Sequence, residues 1–306
     1  MSLRIVYMGT PDFAVPSLDI LVQNGYDIVG VITAPDKPGG RGRHLLQSAV
    51  KKYALAQNLP VLQPTNLKSP DFLSELKSLG ADLQIVVAFR MLPEMVWAMP
   101  VKGTFNLHGS LLPQYRGAAP INWAVINGEQ ETGLTTFFLT REIDTGDVLF
   151  QEKVAIGENE TAGELHDRMM LIGAQLVLKS VKTIESGDYQ LIAQDDRLAS
   201  HAPKIFHETC EINFNQSAAA VHNFIRGLSP YPAAWTTLQG KNVKILRTLK
   251  VADQHDLKPG SFVIVGKKTL RIAANDGFVE LLEIQPEGGK RMDGASFLNG
   301  YRSWIT

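Results

Sequence analysis

Over the first two-thirds of the chain, short apolar runs alternate with stretches in which apolar residues recur every three or four positions, the pattern of strands and helices laid down in turn. Leu3–Met8 predicts a first strand. Thr10-Pro11 follows as an N-cap with proline at the first helical position, so a helix is expected from there to Gly25. Ile28–Thr33 predicts the second strand; Ser48 opens a helix to about Asn58, Pro60–Leu62 reads as a short strand, and Ser69-Pro70 starts another helix. Ala81–Ala88 is apolar nearly throughout, as a sheet centre covered on both faces should be. Gly103–His108 and Gly133–Leu139 predict further strands, with a helix led by Pro120 and ending near Gly128 between them. Thr161-Ala162-Gly163-Glu164 is a capping box, and the Leu165, Met169, Ile172 and Leu176 that follow make a core-facing helical stripe. Strand alternating with helix predicts an α/β fold with a mostly parallel sheet.

After about residue 188 the rhythm changes. Lys244–Leu249, Gly260–Val265, Thr269–Ala273 and Phe278–Gln285 are strand-like runs separated by Pro-Gly, Asn-Asp-Gly and Glu-Gly-Gly turns, which predicts a small antiparallel β-barrel. The polar stretch around 200–208 is the expected boundary, giving domains at 1–203 and 204–306. A length of 306 residues agrees with two domains rather than one. Charge separates the two parts: residues 1–203 hold 17 Lys/Arg and 22 Asp/Glu, whereas 204–306 hold 13 and 9. An overall charge of -1 thus conceals a basic C-terminal part, and such asymmetry can mark a nucleic-acid partner or simply two solvated surfaces. A lone cysteine, Cys210, excludes an internal disulfide, and no apolar run approaches the ~18 residues of a membrane span. With a start that leads straight into a strand, a cytoplasmic location is expected.

Candidate chemistry begins at Gly9, a turn after the first strand. It supplies one glycine where a dinucleotide fingerprint wants three, and no Walker lysine follows, so bound NAD or ATP is not expected there. Asn106 and His108, two apart at the end of a strand, point the same way. An amide and an imidazole aimed at one point are groups that acyl transfer needs, although a buried hydrogen-bonded pair would look the same. The loop Glu142–Asp147 carries Glu142, Asp144 and Asp147, any of which could support the imidazole. His201, His207 and Cys210 lie close in sequence but lack a second ligand pair, so no metal is expected.

Together, Gly9–Ala14, Pro38–Arg43, Asn106–Pro120 and Asp144–Asp147 resemble the folate-dependent formyltransferases over nearly the whole chain. The Asn-x-His-x-Ser-Leu-Leu-Pro-x-x-Arg-Gly pattern with a later Asp-x-Gly carries the resemblance most specifically. It implies a Rossmann-like catalytic domain with helices on both sheet faces and an OB-like C-terminal barrel. The formyl donor would be 10-formyltetrahydrofolate, attacked directly by an amine through a tetrahedral intermediate. Asn106 and His108 would stabilise the oxyanion, Asp144 would hold His108, and no metal would take part. By the same resemblance, donor contacts fall on Ser110, Leu111, Leu112 and Pro113 and on Phe89, Arg90, Met91 and Leu92, although Phe89-Arg90 stands where Tyr-Gly is commoner. Lys37, Arg41 and Arg43, set among glycines, resemble the basic loop of members that act on methionyl initiator tRNA. A nucleotide-linked amino sugar is the alternative acceptor. A tRNA-binding module without catalysis is disfavoured because Asn106, His108 and Asp144 are all present. A monomer is expected.

Overall fold

A seven-stranded sheet is the frame of the protein, in a computed structural model that describes residues 3–39 and 45–305. Its strands are β1 (Arg4–Gly9), β2 (Asp27–Ile32), β5 (Val61–Leu62), β6 (Leu83–Val87), β7 (Thr104–His108), β9 (Glu131–Phe138) and β10 (Val148–Ala155), in the order β10-β9-β7-β6-β1-β2-β5. β5, β2, β1, β6 and β7 pair in parallel, and β9 joins β7 antiparallel. The helices α1 (Val15–Gln23), α2 (Ala49–Ala56), α3 (Pro70–Ser78), α4 (Glu94–Trp97) and α6 (Ala162–Ser186) alternate with these strands. β6 is buried along its whole length, as a central strand must be. Between β2 and α2, β3 (Lys37–Pro38) and β4 (Leu45–Leu46) pair antiparallel.

The first helix starts later than Thr10-Pro11 predicts. Asp12–Ala14 form one turn of 3-10 helix, and α1 begins at Val15 with Pro16 in its first turn. Pro16 has no N–H and would clash with a helical carbonyl four residues back, so the α-helix can begin only where Pro16 falls among the first positions. β10 carries no clear strand signal because the stretch Gln151–Lys153 is exposed and polar, as an edge strand allows. The Thr161 capping box forms as expected: Glu164 accepts from the Thr161 N–H at 2.9 Å, and the Glu164 N–H donates to Thr161 Oγ1 at 3.2 Å.

The chain divides into two compact units, one of Met1–Gly117, Gly133–Val154 and Asp167–His201, the other of Ala118–Thr132, Ala155–His166 and Ala202–Thr306. The second unit holds an antiparallel sheet in the order β12-β13-β16-β15-β14, built from β12 (Ala234–Leu238), β13 (Lys241–Val251), β14 (Phe262–Val265), β15 (Thr269–Ala273) and β16 (Phe278–Pro286). Register shifts along β13 at Ile245 and Arg247 let this long strand bend. Helices α5 (Pro120–Ile126), α7 (Ala218–Leu228) and α8 (Gly294–Tyr301) belong to the same unit. Val221 and Ile225 of α7 and Phe297 of α8 pack with Ile245, Ile272 and Val279 in its core. Two short strands, β8 (Arg116–Gly117) and β11 (His201–Ala202), pair separately. Among the described residues, no helix is long and apolar enough to cross a membrane.

α7 carries a buried titratable group. His222 is 2% exposed; its Nε2 donates to the Glu158 carbonyl at 3.4 Å, and its Nδ1 accepts from Thr248 Oγ1 at 2.9 Å. Burial, reinforced by the charges of Arg226 and Lys250 and opposed by Glu158, lowers its pKa from the usual histidine value. A base whose folded pKa is depressed binds its proton more readily when unfolded, so stability falls as pH drops below the ordinary value of about 6.5. Between pH 7.5 and 5.5 the thermal midpoint of the second unit should therefore fall. His222→Gln should flatten that fall, and an identical pH profile would show that His222 is not its source.

Candidate active site

β7 ends at the site. Its pleat sends Phe105 and Leu107 into the core, with Leu107 against Gly173 of α6, and leaves Asn106 and His108 on the opposite face. His108 is 6% exposed, lies edge-on to Phe137 across the β7–β9 pair, and bonds through Nε2 to the Tyr115 carbonyl at 2.9 Å. That carbonyl can only accept, so Nε2 carries the hydrogen and Nδ1 is the nitrogen free to gain or lose a proton. Nδ1 faces Asp144 Oδ2 at 3.8 Å, an ion-pair separation once the ring is protonated. Asn106 Oδ1 is buried with no hydrogen-bond partner among the described residues. Such an orphan costs about 1–3 kcal/mol, a cost that binding sites carry until a ligand supplies the missing donor.

Asp144 is itself held under strain. Its backbone is left-handed, with φ 56°, which costs a non-glycine residue about 1–3 kcal/mol unless its surroundings enforce it. The enforcement is visible: Gly117 N–H donates to Asp144 Oδ2 at 2.8 Å, and Gln194 Nε2 donates to the carbonyls of Asp144 and Gly146 at 2.9 and 2.8 Å. Gln194 Oε1 in turn accepts from Arg116 Nε and Nη2 at 3.1 and 2.7 Å. Of the three carboxylates in the loop, Asp144 is thus the one beside His108. Gly117 closes the Asn106–Gly117 motif but carries no role there, and Tyr115 and Gln194 have no signal of their own in the sequence, since Tyr115 acts through its backbone carbonyl.

The loop after β7 is closed by its own polar groups. Ser110 is fully buried, its Oγ donating to the Gln114 carbonyl at 2.5 Å and its carbonyl accepting from Thr135 Oγ1 at 2.6 Å. Leu112 N–H donates to Thr135 Oγ1 at 3.1 Å, while its carbonyl accepts from Gln151 Nε2 at 2.7 Å. Leu112 is buried, and Leu111 and Pro113 are partly so. In the segment after β6, Leu92 is buried in an apolar cluster that Phe89 packs against, and Met91 is 73% exposed. Arg90 lies over the Phe89 ring and donates to the carbonyls of Thr65 and Pro64, so its bulk is carried toward the loop after β5.

Lys37 is exposed on β3, whereas Arg41 and Arg43 lie outside the described residues. The foot of this hairpin is locked. Lys51 Nζ meets Asp36 Oδ2 at 2.6 Å and Gln63 Oε1 at 2.7 Å, and Gln63 Nε2 donates to the Ala34 carbonyl and Asp36 Oδ1, both at 2.8 Å. Lys51, followed by Gln63, holds the Asp36 carboxyl below its ordinary value. Among the described residues, no group of three or more His, Cys, Asp or Glu side chains is placed to hold a metal ion.

An amide, an imidazole and a carboxylate converging at the carboxyl end of a mostly parallel sheet suit addition of a nucleophile to a carbonyl carbon. Comparisons point the same way. The family described as formyl transferase matches residues 3–181, and the formyl transferase C-terminal domain matches 204–302. A methionyl-tRNA formyltransferase of Bacteroides thetaiotaomicron is 55% identical over 309 residues, covering 98% of this chain and 96% of that protein. One from Flavobacterium johnsoniae is 54% identical over 303 residues, covering 97% and 96%. The crystal structure of a Helicobacter canadensis N-formyltransferase with folinic acid and dTDP-3-aminofucose shares the fold at a TM-score of 0.71 and 21% identity, covering 95% of this chain and 100% of that one.

Proposed function

The chain belongs to the formyl transferase family, and from that premise we propose that it transfers a formyl group from 10-formyltetrahydrofolate to the free amino group of methionyl initiator tRNA. The observation that carries the site assignment is the convergence of His108 and Asp144 beside an Asn106 whose buried carbonyl oxygen lacks a partner. High identity over nearly the full length to proteins named for methionyl-tRNA carries the choice of acceptor. The amino-sugar alternative draws on relatives at 21% identity, which share the fold.

In this reading the amine lone pair attacks the formyl carbon and the carbonyl electrons move to oxygen. Asn106, through its Nδ2–H, and the Nδ1–H of protonated His108 hold that oxyanion, in a site where fixed dipoles act more strongly than in water, while the unpartnered Asn106 Oδ1 accepts from the attacking amine. Asp144 stabilises the imidazolium and receives the amine proton through water. Collapse breaks the bond from the formyl carbon to the folate nitrogen, which leaves with the proton that Asp144 took from the amine, returned through water. The donor lies against Ser110–Pro113 and Phe89–Leu92. Residues 1–203 carry the chemistry, and 204–306 are the tRNA-facing part of a protein acting as a single chain.

The direct test offers 10-formyltetrahydrofolate with methionyl-tRNA or with a nucleotide-linked amino sugar. Formyl-methionyl-tRNA should appear with one tetrahydrofolate released per product; formylation of the sugar alone would overturn the reading. The basic loop gives a second test. Arg41→Ala with Arg43→Ala should weaken tRNA binding and flatten its dependence on salt by roughly one unit of slope per lost phosphate contact. An unchanged slope would remove the loop from the interface.

A further inference from the structure

We propose that Gln194 is a positioning residue for formyl transfer, fixing the turn that brings the Asp144 carboxylate to His108; the proposal rests on the function assigned above. Gln194 lies between the two family matches, which end at residue 181 and resume at 204, so neither covers it. All its polar capacity is used. Both amide hydrogens go to the Asp144 and Gly146 carbonyls, and both oxygen lone pairs go to Arg116 Nε and Nη2. The two carbonyls are two residues apart on one turn, so a single planar amide spans and fixes it. Neither a shorter Asn nor a non-donating Glu meets all four bonds.

Arg116 makes this a closed frame. Tyr115, just before it, holds the His108 ring through its carbonyl, and Gly117, just after it, holds the Asp144 carboxylate through its N–H. Three consecutive residues therefore set both ends of the His108–Asp144 pair, and Gln194 ties the middle one to the backbone of the Asp144 turn. The stretch bearing Gln194 is anchored on both sides. Ile192 exchanges two backbone bonds with Val148, at 2.8 and 2.9 Å. Ser200 accepts from the N–H groups of Tyr115, through Oγ, and of Arg116, through its carbonyl, each at 2.9 Å. Arg116 Nη2 also meets Asp196 Oδ1 at 2.7 Å, within the same stretch.

The test compares Gln194→Ala and Gln194→Glu with the wild type, alone and in an Asp144→Asn background. A misplacement near 1 Å can cost about 100-fold, so kcat should fall by about 10–100-fold with KM for both substrates nearly unchanged. Gln194→Glu, which keeps the Arg116 contacts but cannot donate, should fall as far. In the Asp144→Asn background the further loss should shrink to about twofold, because the group being positioned is gone. Wild-type kcat in Gln194→Ala, or the same loss in both backgrounds, would overturn the proposal. Hydrogen exchange gives a readout independent of the acceptor. The Gly117 amide, which donates to the Asp144 carboxylate, should exchange faster in both variants, and unchanged protection there would overturn the proposal even if the wild type proved to formylate something other than tRNA.

Discussion

Asp144→Asn is expected to lower kcat/KM for formyl transfer by about 100- to 10,000-fold, the range of a lost acid–base partner, while the thermal midpoint stays near that of the wild type. Asparagine keeps the size of the side chain and tolerates a left-handed backbone, so the 56° φ of this position survives. Its oxygen can still accept from the Gly117 N–H, which now ends on the Asp144 carboxylate. What disappears is the negative charge 3.8 Å from His108 Nδ1, and with it, in the proposed mechanism, the stabilisation of a protonated ring and the acceptor for the amine proton. The loss should therefore fall on kcat rather than on KM. Steady-state assays with both substrates check this, and near-normal turnover would remove Asp144 from the mechanism.

Gly146→Ala should be nearly as costly to activity and should also destabilise the protein. A Cβ built on Gly146 would lie 1.7 Å from the Phe138 carbonyl oxygen at the end of β9, and that oxygen is backbone, not a side chain able to swing aside. Either the turn or the strand must move, and the turn carries Asp144 with it. Large effects of this kind exceed ~3 kcal/mol, equivalent to a drop of several degrees in thermal midpoint. Gly300→Ala is the control: nothing lies within 4 Å of its Cβ, it sits in α8, and no loss is expected. A Gly146→Ala protein with full activity and an unchanged midpoint would contradict the described turn.

The sequence made much of this legible where local chemistry and tertiary packing agree. Ser48, Ser69-Pro70 and the Thr161–Glu164 box mark helix starts that the structure keeps, and the apolar run of β6 sits at the sheet centre. Period-two spacing alone put Asn106 and His108 on one face. Legibility failed where a residue's role is set by distant contacts. α7 is not among the expected helices, although Ala218, Val221, Ile225 and Leu228 recur at helical spacing after the Ser217 cap. What nothing local could show is that His222 and Arg226 on it are buried, their donors taken up by backbone carbonyls of Gly157, Glu158 and Glu160 and their other groups by Thr248 and Asn223. Choosing among Glu142, Asp144 and Asp147 needed more than spacing, since only the fold puts Gly117 and Gln194 around one of them. Gln194 lies 50 residues from Asp144 in a stretch with no regular element, and nothing local marks it.

The foot of the β3–β4 hairpin is closed without any help from Lys37. Asp36, Lys51 and Gln63 satisfy one another below the hairpin, and Thr33 and Ser48 share a hydrogen bond of 2.6 Å at the same level. None of these bonds involves Lys37 or a member of the His108–Asp144 pair. The charge at Lys37 is in effect a free setting: it can be changed without loosening the clamp or disturbing the pair at the end of β7.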